Sequence, residues 1–101
     1  MRTRMGLGLA VLFLAGCGGG SNPGGAYAAC ERAVETELVS PGSAEFSGAT
    51  GSEIEEVSEG LYAIRGYVDS ENSFGASLRT DFTCRVAEDG DDWDLRRINV
   101  G

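Results

Sequence analysis

The sequence predicts an α+β domain in which one N-terminal amphipathic helix packs across a three- to four-stranded antiparallel sheet and is joined to it by a disulfide. Three observations carry this. From Ala26 to Val39 the apolar residues Tyr27, Cys30, Val34 and Leu38 recur at intervals of three and four, while Glu31, Arg32, Glu35 and Glu37 fall between them, the period of a helix with one buried stripe. From Ala76 to Val86, Leu78, Thr80, Phe82, Cys84 and Val86 alternate with Ser77, Arg79, Asp81, Thr83 and Arg85, the period of a half-buried strand. The two patterns meet at cysteine, because Cys30 lies on the helix stripe and Cys84 on the apolar face of the strand. A helix laid across a sheet and bonded to it there satisfies both.

The remaining elements follow in order. Ser40-Pro41-Gly42 ends the helix, since proline lacks the donor needed to continue it and restricts the residue before it. Ser43 is placed to cap a single further turn leading to Phe46. Glu53 to Ser58 reads as a weaker strand at an edge, where charge discourages pairing with another chain. Leu61 to Asp69 and Trp93 to Val100 are strands, and Glu88-Asp89-Gly90-Asp91-Asp92 is a hairpin with Gly90 free to take positive φ.

The first sixteen residues have the three parts of a secretion signal: Arg2 and Arg4, an apolar run from Gly6 to Leu14, then small residues. The run is too short for a membrane span, which needs about 20 apolar residues. Leu14-Ala15-Gly16-Cys17 resembles the lipobox of bacterial lipoproteins. That resemblance implies cleavage after Gly16 and a diacylglyceryl thioether on Cys17, often with a third acyl chain on its amine. A thiol suits the chemistry because thiolate sulfur is a strong nucleophile. Each buried methylene adds about 0.8 kcal/mol, so two or three chains hold where one holds only marginally. The expected organisation is a signal peptide over 1–16, a lipidated cysteine with a flexible glycine-rich tether over 17–25, and a small α+β domain over 26–101. An eight-residue coil of this composition spans about 15 Å. The protein is therefore expected to be exported and lipid-anchored to the cell envelope. Gly18 in place of Asp favours the outer membrane in a Gram-negative host.

Removing the signal takes Arg2 and Arg4 but no acidic residue, so the net charge moves from −8 to −10. Such a domain lacks the basic footprint nucleic acid requires. Its expected partners are membrane lipid, through the anchor, and an unidentified envelope protein, with a basic one favoured by charge; a monomer is expected. Once Cys17 is acylated, Cys30 and Cys84 form an even pair that an exported compartment permits to oxidise. Two buried thiols are the alternative. A metal site would need further ligands, and the chain has no His.

Cys30-Glu31, Ser40-Pro41-Gly42-Ser43-Ala44-Glu45-Phe46, the run from Tyr67 to Ala76 and Phe82-Thr83-Cys84 resemble a group of small bacterial and prophage-associated proteins. Their pattern is Cys-Glu, Ser-Pro-x-Ser-Ala-x-Phe, Val-Asp-x-x-Asn-x-Phe-Gly-Ala and Phe-x-Cys. The resemblance supports the fold and the cysteine pairing and implies no activity.

The loop from Asp69 to Gly75 is the candidate binding loop. Asp69 and Asn72 suit local backbone hydrogen bonds, Gly75 suits positive φ, and Phe74 either pins the turn or belongs to a recognition surface. Asp89-Gly90-Asp91-Asp92-Trp93-Asp94 gathers carboxylates but lacks the offsets of a calcium loop, so a solvated hairpin is expected and no metal. Tyr62, Tyr67 and Trp93 read as core rather than as an aromatic patch. With no His, no Lys and both thiols of the domain in a bridge, no catalytic residue and no cofactor beyond the covalent lipid are expected. Glu55, Glu56 and Glu59 are the carboxylates that glycosidic chemistry would draw on. The leading expectation is a non-catalytic binding module. An anionic inhibitor of a basic, lysozyme-like hydrolase comes second, and an accessory enzyme of cell-wall glycan third.

Overall fold

The computed structural model describes residues 21–101. The expected signal peptide, the expected lipidation site Cys17 and the first part of the expected tether lie outside the described residues. Helix α1 (Pro23–Glu35) is followed by a 3₁₀ turn (Pro41–Ser43) and five strands: β1 (Glu45–Phe46), β2 (Glu53–Ser58), β3 (Leu61–Glu71), β4 (Ser77–Asp89) and β5 (Asp92–Val100). All pairings are antiparallel. β3, β4 and β5 are neighbours in that order, and β1 and β2 share the other edge of β3.

Two expectations are corrected here. The sheet has five strands rather than three or four, because the stretch through Phe46 pairs with β3, Glu45 opposite Asp69 and Phe46 opposite Val68. The helix covers 23–35 rather than 26–39 and does not lie at the amino terminus of the chain. Pro23, Gly24 and Gly25, which composition assigns to the tether, make its first turn. Asn22 caps it, Oδ1 accepting from the Gly25 amide at 3.1 Å, and Pro23 takes the one helical position where a missing N–H costs nothing.

At the other end the chain leaves the helix at Thr36, whose hydroxyl donates to Ala33 O at 2.7 Å, well before Pro41. Leu38 still packs on the core from this turn, while Val39 is 72% exposed. Ser43 closes the 3₁₀ turn rather than capping it. Its N–H and hydroxyl both donate to Ser40 O, and its Oγ accepts from the Glu71 amide at 2.9 Å.

One face of the sheet is covered. Tyr62, Ile64 and Val68 of β3 and Phe82, Cys84 and Val86 of β4 are buried against Ala26, Tyr27, Cys30 and Val34 of α1. Cys30 and Cys84 form a disulfide at the centre of this layer, with Cα atoms 5.9 Å apart. Phe46 meets Phe82, and Tyr62 meets Trp93, edge to face with centroids 5.9 and 5.7 Å apart. The other face carries Arg65, Tyr67, Asp69, Arg79, Asp81, Thr83 and Arg85 in register and is open, as an antiparallel sheet permits. β5 forms the other edge of the sheet, with a register shift between Arg85 and Val86 and the charges of Asp92, Asp94, Arg96 and Arg97 along it.

Between β1 and β2 the chain leaves β3 after Ser47, whose N–H still donates to Tyr67 O at 2.9 Å, and hydroxyls bridge the interrupted ladder as far as Ser52. The Tyr67 amide donates to Ser47 Oγ at 3.1 Å, Ser47 and Ser52 share a hydrogen bond at 2.7 Å, and Ser52 donates to Gly48 O at 2.6 Å. Gly48 N–H in turn donates to the Tyr27 hydroxyl, tying this loop to α1. Gly66 sits beneath them. A Cβ there would lie 2.7 Å from both serine oxygens and 3.0 Å from the Phe82 ring. Gly66→Ala is therefore expected to destabilise the domain by about 1–3 kcal/mol through overpacking, read as a fall in thermal midpoint.

The sheet has two distinct ends. At one, the tight turns Glu59-Gly60 and Gly90-Asp91 lie side by side, Glu88 N–H donating to Gly60 O at 2.7 Å. The chain joins the domain at this end, because Asn22 N–H donates to the Tyr62 hydroxyl at 2.6 Å. At the other end lies the β3–β4 loop. From Tyr62 to Glu71 β3 rises by about 3.3 Å per residue, so the two ends are about 30 Å apart.

Candidate functional site

The β3–β4 connection runs from Asn72 to Ala76, between the paired residues Glu71 and Ser77. Asn72 organises it. Its side-chain Oδ1 accepts from the Phe74 amide at 2.9 Å and the Ala76 amide at 3.1 Å. Its backbone N–H donates to Ala76 O, and its backbone carbonyl accepts from Gly75. Gly75 has φ 81°, a left-handed conformation that side chains oppose. A short amide side chain satisfying nearby backbone donors is the usual device for holding an irregular turn.

Phe74 contributes only its amide to that scaffolding, and the residue is 93% exposed at the apex. The turn is shaped by Asn72 and Gly75, and the Phe74 side chain does not pin it. Asp69 lies in β3, three residues before the loop, and Arg79 stands opposite it in β4, donating to its carboxylate through two nitrogens at 2.8 and 3.0 Å. The same guanidinium lies 3.9 Å over the Tyr67 ring. The hydrogen bonds from Arg79 hold the Asp69 carboxyl below its ordinary pKa, against a smaller opposing effect of desolvation. Asp69 thus stiffens the base of the hairpin, and of the four candidates Phe74 alone offers a side chain outward.

Beside the loop the sheet outruns the helix. α1 stops at Glu35, and although Ser70 is buried, its partner Leu78, expected on the buried face, is 55% exposed. Leu78, Leu38, Val39 and Val100 line a hollow of about 200 Å³ with Glu37 and Glu71 also in its wall. The loop end therefore combines an aromatic apex, an apolar hollow and flanking carboxylates. No protein-family model matches the chain, and no curated protein and no solved structure matches it.

The other candidates fall elsewhere. Tyr62 is buried, Trp93 packs against it and Tyr67 lies on the opposite face under Arg79, so the three form no common patch. Among the described residues no group of three or more Cys, Asp or Glu is arranged to hold a metal ion, and Asp94 is paired with Arg96 at 2.7 Å. Glu55 and Glu56 are adjacent in β2 and so point to opposite faces, and Glu56 accepts from Gly60 N–H at 3.0 Å. The exposure of Leu78 carries no sequence signal, since it continues the apolar alternation of β4.

Proposed function

We propose that the protein is a lipid-anchored, non-catalytic module of the cell envelope that binds another protein through its β3–β4 loop. The single observation that carries this is the exposure of Phe74 on a loop whose backbone Asn72 holds rigid. An aromatic side chain held outward loses little freedom on binding and desolvates a large area, the combination found in interface anchors. Glu37 and Glu71 suit a partner whose receiving pocket is apolar and edged with basic residues.

The geometry of attachment supports the same reading. Cys17 precedes Asn22 by five residues, about 17 Å when fully extended. A lipid there would hold the Tyr62 end near the headgroups and leave the loop about 30 Å further out. The module acts as a monomer, takes no cofactor other than its lipid and has no nucleic-acid partner.

Capture from the native envelope tests this. The wild-type protein is expected to retain a specific protein, and Phe74→Ala to lose it by tenfold or more, as for an anchor worth about 2 kcal/mol, with an unchanged thermal midpoint. Equal capture by both would overturn the loop as the binding surface. The carboxylates clustered at the two tight turns favour a second reading, blockade of a basic hydrolase. It predicts suppression of lysozyme at low salt that Phe74→Ala leaves intact.

A further inference from the structure

We propose that Arg85 and Arg97 form a binding site for a phosphate group on the face of the sheet that α1 leaves open. The two residues stand directly opposite each other on β4 and β5. Like charges in that relation repel, and sheets ordinarily relieve them with opposite charge. Five arginines lie on the sheet. Arg65 is paired with Glu53, Arg79 with Asp69 and Arg96 with Asp94. Arg85 and Arg97 are in no ion pair among the described residues, although the chain has twice as many acidic as basic side chains.

The row they occupy is shaped for a ligand. Across the sheet it runs Glu55, Ala63, Arg85, Arg97, and the small side chain of Ala63 keeps it low beside the guanidinium of Arg85. Ala63, Arg65, Thr83, Arg85 and Arg97 line a hollow of about 180 Å³, which Glu53 and Glu55 bound on the β2 side. Glu53 is held by Arg65 at 3.2 Å.

The ligand class follows from the donors. One guanidinium already engages both oxygens of a carboxylate with two parallel hydrogen bonds, so two equally placed guanidinia are matched better by a group with a third acceptor oxygen and more than one negative charge. A phosphate group has them. The neighbouring Thr83 hydroxyl adds a donor that needs no charge. Glu53 and Glu55, with the net charge of the domain, exclude extended polyanions and leave a single compact group as the fitting partner. The site is separate from the Phe74 loop, and neither depends on the other.

The test uses the full chain in detergent, at ionic strength held constant with chloride, following the guanidinium N–H resonances of the arginines. Inorganic phosphate is expected to shift Arg85 and Arg97 saturably, with Arg79 unmoved. Arg85→Gln and Arg97→Gln are each expected to weaken binding about tenfold or more, without lowering the thermal midpoint, since each also removes a like-charge contact. Glycerol 3-phosphate distinguishes the source. Tighter binding than inorganic phosphate assigns the site to a phosphate ester such as a headgroup, and equal binding assigns it to free phosphate. Acetate binding as tightly as phosphate, shifts that rise linearly and alike at every arginine, or full affinity in both variants would each overturn the proposal.

Discussion

Reduction of the Cys30–Cys84 bond is expected to lower the stability of the domain by about 4 kcal/mol. The cysteines are 54 residues apart, and in the chain-entropy model a bridge of that span removes about that much freedom from the unfolded chain. The described part of the protein has 81 residues, a size whose total stability is commonly only about 4–12 kcal/mol. The loss is therefore a large share of the whole. For a domain of this length it corresponds to a fall in thermal midpoint of about 15–30 °C. The comparison is a melt with and without reductant, repeated on Cys30→Ala with Cys84→Ala. The half-cystines are fully buried between α1 and β4, so the double variant also loses packing and is expected to melt no higher than the reduced protein. A midpoint shift of only a few degrees would show that the bridge adds little to a core already sufficient.

Cys17→Ala is expected to move the protein from the detergent phase to the aqueous phase almost completely and to abolish the mass of the attached lipid. The size of the effect follows from the acyl chains, since every methylene withdrawn from the bilayer costs about 0.8 kcal/mol and two or three chains act together. The described residues offer no substitute, for no helix among them is long and apolar enough to cross a membrane. Unchanged partitioning, with no lipid mass on the wild-type protein, would defeat the anchor.

Much of the fold was legible because short-range pattern and long-range packing agree. β4 alternates cleanly, and Phe82, Cys84 and Val86 are buried as that alternation requires. Cys30 and Cys84 could be paired because each fell on the apolar side of its own element. Edges were harder. Glu45–Phe46 is too short to show a period, and its place in the sheet is set only by its pairing with Asp69 and Val68 of β3. The helix start was hidden because Pro-Gly-Gly has the composition of a linker; the Asn22 cap followed by Pro23 is a local signal that the glycines masked, while the Tyr62 hydrogen bond that anchors it is a tertiary fact. The loop residues were found, but their division of labour was not. Asn72 and Asp69 both read as turn-formers, and only the register that sets Arg79 against Asp69 separates them. The Arg85–Arg97 pair was invisible for the same reason, since a bulge in β5 sets which of its two adjacent arginines faces β4.

The two tight turns at the Tyr62 end carry Glu59, Glu88, Asp89, Asp91 and Asp92, all exposed. With Cys17 acylated, these five carboxylates come within one short tether of the headgroups. A bilayer containing anionic lipid repels them over about 8 Å at physiological salt. Attachment and repulsion then act on the same end of the molecule. A domain tied down there cannot leave, yet its own charge is pushed away from charge of the same sign, so it is expected to ride as far above the headgroups as the tether allows. The acidic turns would serve as a stand-off whose strength is set by lipid charge and ionic strength, and the height of the domain would become a property of the membrane as much as of the protein.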